Sequence, residues 1–253
     1  LKLATWNVNS LKVRLPQLLD WLGRERPDVV CLQELKLEDS KFPKEEIRAA
    51  GYEAVYAGQK TYNGVAILCP TPPTEVARGI PGYPDPQQRI IAASTGDLLV
   101  VCAYVPNGQS VDSDKYRYKL DWLAAFTDWL KAELGRHERL ALLGDFNIAP
   151  EERDVHDPKI WRGQVLFSEP EREAFRRLLG VGFKDSLRLV DQGDKLFTWW
   201  DYRMNAFKRG MGLRIDHILL SAPLAAECRA VRVDMDMRAL ERPSDHAPVI
   251  AEI

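Results

Sequence analysis

RLALLGDFN, residues 139–147, is where the reading of this chain begins. Leu140, Ala141, Leu142 and Leu143 form an apolar run that is short for a helix and typical of a strand buried on both faces. The run stops at Gly144, and two polar residues, Asp145 and Asn147, follow on either side of Phe146. One such ending says little, because Asp and Asn are common where a strand turns into a loop and their side chains bond their own backbone. The same ending recurs along the chain, and the recurrence carries the argument.

Moving outward, LKLATW (1–6) reads as a strand and ends at Asn7-Val8-Asn9. SLKVRLPQLLDWLGRE (10–25) has Leu11, Leu15, Leu18, Leu19 and Leu22 at helical spacing, with Pro16 placed in a tolerant first turn. DVVCLQ (28–33) is a buried type of strand that ends at Glu34. PKEEIRAA (43–50) is a short helix closed by Gly51. YEAVYA, NGVAILC, RIIAAS and DLLVVCAYV read as strands, and the Pro- and Gly-rich segment 70–88 as a loop. Residues 115–134 form a long helix with Leu120, Leu123, Ala124, Phe126 and Leu130 on one face, and EREAFRRLLG (171–180) forms another. Further strands are expected at 196–201, 214–220, 228–234 and 248–253. Strands and helices alternate without a linker or repeat, so the expectation is one α/β domain over residues 1–253, with helices covering packed sheets.

The chain of 253 residues has a formal net charge of −2. A protein that coats nucleic acid non-specifically is usually more basic, so a nucleic-acid partner requires cations gathered on one face. RMNAFKRGMGLR (203–214) offers them: Arg203, Lys208, Arg209 and Arg214, with no acid. Alone, this stretch reads as a solvated loop; beside the motifs below it reads as a DNA-facing one. Of the four cysteines, Cys31, Cys69, Cys102 and Cys228, the first three sit in apolar runs, and no two of the four form a C-x-x-C pair. Buried free thiols in a reducing compartment fit better than a metal or disulfide framework. No apolar run approaches the ~20 residues of a membrane span, and LKLATWNVNS lacks a signal-peptide pattern. The expectation is a cytoplasmic protein without a membrane partner.

The polar strand ends form a chemical kit. They are Asn7, Glu34, Tyr104 with Asn107, Asp145 with Asn147, and Ser244-Asp245-His246 before the last strand. Asp216 stands inside the apolar RIDHILL and needs a partner, since a buried unpaired charge costs several kcal/mol, order of magnitude. His246 is a natural partner; Arg214 and His217 are local alternatives. Glu34 suits a hard divalent cation, and one or two carboxylates plus waters usually hold magnesium at phosphate chemistry. Asp145 can orient or deprotonate water, while His246, Tyr104 and Asn107 can face phosphate oxygens. G-x-S-x-G, H-E-x-x-H, P-loop and Rossmann fingerprints are all absent, and four histidines make a multi-His zinc site improbable.

The ordered motifs WNVNS, LQELK, YVPNG, LLGDFNIAP, WWDYR, GLRIDHILLS and PSDHAP resemble those of exonuclease III and its relatives, within the endonuclease/exonuclease/phosphatase superfamily. The resemblance spans essentially the whole chain. It implies a four-layer α/β sandwich of two packed mixed β-sheets flanked by helices. It implies Glu34 as principal metal ligand with Asn7 close by, and Asp145 as the water-positioning residue held by Asn147. It further implies His246 as the phosphate-contacting histidine with Asp216 as its partner, and Tyr104 and Asn107 as phosphate-side donors. Asp245 helps with metal or shapes its loop. The resemblance assigns Trp199, Leu213 and Ile215 to a small apolar pocket for a flipped abasic sugar, which selects by size. It assigns Arg203 and Met204 to the duplex; Trp200 is read as core. The implied cofactor is Mg2+, with Mn2+ as the alternative. The implied partner is double-stranded DNA with abasic sites or 3′ ends, met by a monomer in the bacterial nucleoid.

There are departures. Leu35 replaces the usual threonine of LQETK and should face away from Glu34, as neighbours in a strand do. Asn9 matches the bacterial branch, where eukaryotic relatives have aspartate, and points to one metal. Ser110 replaces a DNA-entering arginine of the eukaryotic branch. The implied reaction is in-line attack of water on a DNA phosphodiester, giving 3′-hydroxyl and 5′-phosphate ends. The alternatives are a lipid or inositol phosphodiesterase of the superfamily and a non-catalytic nucleic-acid-binding regulator on this fold. The basic stretch and WWDYR oppose the first; retention of Glu34, Asp145, Asn147 and His246 opposes the second.

Overall fold

The computed structural model describes residues 1–190, 193 and 195–253. Two six-stranded sheets dominate it. The first runs in the order β13 (Ala230–Val233), β14 (Val249–Glu252), β1 (Lys2–Asn7), β2 (Val29–Gln33), β4 (Val65–Cys69), β3 (Glu53–Ala57). The second runs β5 (Thr74–Arg78), β6 (Ile90–Thr95), β7 (Leu98–Tyr104), β8 (Leu140–Asp145), β12 (Asp216–Leu220), β9 (Lys184–Asp185). A ribbon of β10 (Trp199–Trp200) and β11 (Gly212–Leu213) stands apart. Both large sheets are mixed, since β1–β2 and β7–β8 are parallel while β14 and β12 run antiparallel to β1 and β8. The helices are α1 (Leu11–Glu25), α2 (Lys44–Ala49), α3 (Asp114–Leu134), α4 (Pro158–Trp161), α5 (Glu169–Gly180), α6 (Ser186–Leu189) and α7 (Ala222–Glu227).

The two-residue period of a strand explains the layers. Leu3, Val29, Cys31 and Ile67 of the first sheet meet Val100, Cys102, Ala141, Leu143 and Ile218 of the second, forming the inter-sheet core. The alternate residues face outward. Ala4, Trp6, Val30 and Leu32 pack on Leu11, Leu18, Trp21 and Leu22 of α1 and Ile47 of α2. Leu99, Val101, Leu140 and Leu142 pack on Trp122, Leu123, Phe126 and Leu130 of α3 and Phe175 and Leu178 of α5. The result is the four-layer α/β sandwich, helix–sheet–sheet–helix, that the resemblance implied.

Several local expectations need correction. The segment 70–88 contains β5, an exposed edge strand whose Thr74 and Ala77 flank a register shift against β6. Its alternation is too weak and its apolar side chains too few to read as a strand. Pro16 lies in the second turn of α1 rather than the first, because the helix starts at Leu11. On α3, Trp122 takes the buried face while Ala124 is exposed.

Parallel pairing puts the C-terminal ends of β1 and β2 at one rim, and likewise those of β7 and β8. Antiparallel pairing brings the start of β12 to the same edge, with Asp145 opposite both Tyr104 and Asp216. The rim requires Gly144: a Cβ there would lie 1.9 Å from Ala103 O, so any side chain would force β7 and β8 apart just before Asp145.

Candidate active site

The polar strand ends converge on this rim. Asn7 spans the two sheets, its Nδ2 donating to Glu34 Oε2 at 2.7 Å and to Asp145 Oδ2 at 2.8 Å. Its Oδ1 accepts from the Asn9 backbone at 2.9 Å. Glu34 follows β2 in the left-handed region, at φ 53°, which throws its side chain to the rim and sends Leu35 into the core beneath α1. Leu35 thus faces away from Glu34 through a backbone turn, not through strand alternation.

Asp145 is buried. Its Oδ1 accepts the Asn147 backbone N–H at 2.9 Å, and Asn147 sits at φ 50° as the loop leaves β8. The Asn147 side chain donates to Val105 O at 2.9 Å and accepts from Asn107 Nδ2 at 3.3 Å. Lys119, wholly buried on α3, fixes this corner from behind. It donates to Asn107 O at 3.1 Å and Asn147 O at 2.7 Å, and pairs with the equally buried Glu171. Lys119 went unread in the sequence, although a lysine between Tyr116 and Leu123 on an otherwise apolar helix face was the available signal.

His246 answers the question of Asp216's partner. Its Nδ1 lies 2.8 Å from Asp216 Oδ2, and its Nε2 lies 3.7 Å from Asp145 Oδ2. Thr198 donates to Asp216 Oδ2 at 2.7 Å and accepts the Asp216 backbone N–H at 3.1 Å. The two local alternatives are engaged elsewhere. Arg214 binds Asp154 and Asp185 at 2.7 and 2.8 Å, and the His217 Nε2 meets Ile148 O at 2.8 Å. Arg214 is therefore structural and leaves the basic stretch to Arg203, Lys208 and Arg209, all exposed. Arg203 is clamped by Asp201 at 2.6 Å. Met204 is 68% exposed at φ 59°.

Asp245 stands to one side. It accepts Trp199 Nε1 at 3.0 Å on one oxygen and Asn9 Nδ2 at 3.1 Å on the other. Lys36 donates to Asn9 Oδ1 at 2.6 Å and lies 3.5 Å from Glu34. Leu213 and Ile215 are buried in an apolar cluster with Ala149, Val155, Leu166 and Phe167, and the partly buried Trp199 packs against it. Trp200 lies in the core, against Phe197, Ala206 and Ala247.

The electrostatics follow from this crowding. Burial alone would lower His246, but Asp216 and Asp145 outweigh it and hold the imidazole well above its ordinary range, so it is charged. Burial pushes the Asp145 carboxyl up against the pull of His246. Burial and the facing Glu34 and Asp145 push the Tyr104 phenol far up, so it stays protonated and is a donor.

A cation fits here. Glu34 and Asp145 each offer a ligand oxygen, and these atoms lie within 4.8 Å of one another. Two carboxylates converging in a largely buried site repel one another, which a hard divalent ion relieves.

Known proteins show the same arrangement of chain. The sequence is 38% identical over 266 residues to exodeoxyribonuclease III of Haemophilus influenzae, covering 100% of this chain and 99% of that protein. The fold superposes with TM-score 0.98 on a 3′ phosphatase from Neisseria bound to a product DNA hairpin, at 50% identity over 100% of this chain and 98% of that one. It superposes with TM-score 0.97 on an AP endonuclease from Archaeoglobus fulgidus, at 40% identity over 100% and 99% of the two chains. Residues 4–246 match the Endonuclease/Exonuclease/phosphatase family, and the chain belongs to it.

Proposed function

We propose that this chain is a magnesium-dependent phosphodiesterase of DNA repair, incising at abasic sites and trimming 3′ ends. One observation carries the reading: Glu34, Asp145 and the Asp216-bound His246 converge at the rim where the strand ends of the two sheets meet. The names of its relatives, exodeoxyribonuclease III and an AP endonuclease, support the substrate class.

Glu34 and Asp145 would hold the cation, with Asn7 fixing the distance between them. When bound, the cation supplies Lewis-acid stabilisation of charge on phosphate oxygen. Asp145, its other oxygen held by the Asn147 backbone, orients the attacking water in line with the scissile bond. His246 presents a charged Nε2–H to a non-bridging oxygen, since Asp216 occupies its Nδ1. Tyr104 and Asn107 donate to the same group of oxygens. As the new phosphorus–oxygen bond forms, the bond to the 3′ oxygen breaks; the water gives up one proton and the departing oxygen takes one up, leaving 3′-hydroxyl and 5′-phosphate ends. Asp245, with both oxygens engaged, shapes its loop and braces Trp199. Trp199, Leu213 and Ile215 lie together in an apolar cluster beside the rim, and this reading assigns an abasic sugar to that side, where a base would be too large. Arg203, Met204, Lys208 and Arg209 face the duplex. The protein acts as a monomer in the cytoplasm, at the nucleoid.

An end-labelled duplex with a single abasic analogue, incubated with and without magnesium, tests this. Magnesium-dependent cutting at the lesion and trimming from the 3′ end are expected, and their ratio ranks the two activities. Cleavage of a lipid diester with no cut in either duplex position would replace the reading with a lipid phosphodiesterase.

A further inference from the structure

Arg14 looks, in sequence, like an ordinary surface cation on the first turn of an amphipathic helix. The fold buries it to 9% exposure. Among the described residues it forms no ion pair; its two terminal nitrogens donate to neutral acceptors instead, while its buried Nε has no partner among them. Nη1 donates to Asn9 O at 2.6 Å, and Nη2 donates to Tyr202 OH at 2.9 Å and Pro243 O at 2.8 Å. The Tyr202 hydroxyl in turn donates to Pro243 O at 2.7 Å and accepts from Asn9 Nδ2 at 3.3 Å.

Three segments far apart in the chain meet at this one group. Asn9 follows β1 and bonds Lys36 and Asp245 beside the candidate metal site. Pro243 leads directly into Ser244-Asp245-His246. Tyr202 opens the segment that carries Arg203, Met204, Lys208 and Arg209, all exposed. A second cation grips that segment from the other side: the Arg238 guanidinium lies 5.3 Å from the Tyr202 ring and 5.1 Å from the Phe207 ring, and donates to Trp200 O at 3.2 Å. Burying a guanidinium without a carboxylate is costly, so what the arrangement returns is geometric: it fixes the basic segment against the catalytic rim.

We propose that Arg14 is a positioning residue for substrate: acting through Tyr202, it holds the basic segment 203–209 in register with the His246 loop, so that duplex and scissile phosphate are presented together. The inference rests on the DNA reading above. It assigns to Arg14 a role in duplex affinity and none in the chemical step, because no atom of Arg14 bonds a residue of the Glu34–Asp145–His246 group.

The test uses Arg14→Met, Tyr202→Phe and the double variant of the full chain. Duplex affinity is read by fluorescence anisotropy in EDTA, and KM and kcat on an abasic duplex in magnesium. Losing a charge-assisted bond at a buried junction should raise Kd and KM by about tenfold in Arg14→Met. Tyr202→Phe should shift them in the same direction, and the double variant should be no worse than Arg14→Met, since both break one joint. The kcat of Arg14→Met at saturating duplex should stay within about twofold of the wild type. Unchanged Kd and KM, or a loss confined to kcat, overturns the proposal; if Arg14→Met does not fold, unchanged Kd in Tyr202→Phe overturns it alone. A wild-type protein that neither binds nor cuts abasic duplex would instead overturn the functional reading beneath it.

Discussion

His246 and Asp216, 30 residues apart in sequence, are both buried and joined by a bond of 2.8 Å between Nδ1 and Oδ2. Asp216 is held in turn by Thr198, so the imidazole has one orientation and points Nε2 at Asp145. Asp216→Asn should keep the shape but remove the charge that keeps His246 protonated. The expected result is a fall in kcat of ~10² or more with little change in KM, and similar falls for His246→Ala and Asp145→Asn. Wild-type turnover in any of these would remove that residue from the mechanism; circular dichroism melts check that the fold survives.

Removal of metal should be as decisive. Chelation with EDTA should abolish cleavage and added magnesium restore it, because Glu34 and Asp145 bring ligand atoms within 4.8 Å of each other. Glu34→Gln should raise the magnesium concentration needed for half-maximal activity and leave the melting curve of the metal-free protein nearly unchanged. Full activity in EDTA would end the metal assignment.

How much of this was legible in the sequence depends on how local each signal is. Strands such as Leu140–Asp145 announce themselves, because burial on both faces demands an unbroken apolar run. The edge strand Thr74–Arg78 buries almost nothing, so its sequence carries no such demand. Asp216 advertised itself as a carboxylate in an apolar strand, but its choice of His246 over Arg214 was fixed by sheet pairing, which places Asp216 opposite Asp145. Arg214 instead turns to Asp154 and Asp185, two acids that nothing in their sequence neighbourhoods marks as buried. Lys119 and Arg14 were hidden for the same reason: a cation on a helix looks solvated until the partner segments fold over it.

Lys119→Met bears on that buried frame. It would leave Glu171 buried with its backbone and Ser168 bonds but without its cation, and would release Asn107 and Asn147. Breaking a buried pair from one side costs about 3–5 kcal/mol. A lower urea midpoint together with a reduced kcat is expected, and Glu171→Gln paired with Lys119→Met should recover stability without recovering activity. Wild-type stability in the single variant would mean that the pair contributes nothing.

Binding to DNA should carry the imprint of the exposed cations. Each phosphate that a replaced cation no longer neutralises flattens the dependence of log K on log salt by roughly 0.9. Arg203 already shares its charge with Asp201, so Lys208 and Arg209 should account for most of the change in a triple replacement of the three. Anisotropy titrations at several salt concentrations measure the slope; an unaltered slope would place the segment away from the duplex.

Acid stability should depend on the network behind the site. Burial and then Arg214 push His217 down to about 4, below the value of about 6.5 that it takes in the unfolded chain. The unfolded chain therefore binds this proton first, and stability falls as pH drops from about 6.5 towards 4. Burial works to raise Asp154 and Asp185, but Arg214 overcomes it and holds both below the usual carboxylate range. Their contribution is complete above about 4 and is lost only at lower pH. Asp145 works against His217 over part of the same range, because its raised carboxyl takes up a proton earlier when folded. Comparing urea midpoints of the wild type and His217→Gln between pH 7.5 and 4 cancels Asp145 and isolates the imidazole. The difference between the two proteins should shrink as the pH falls through this window; a constant difference would mean that His217 is not held neutral by its burial beside Arg214.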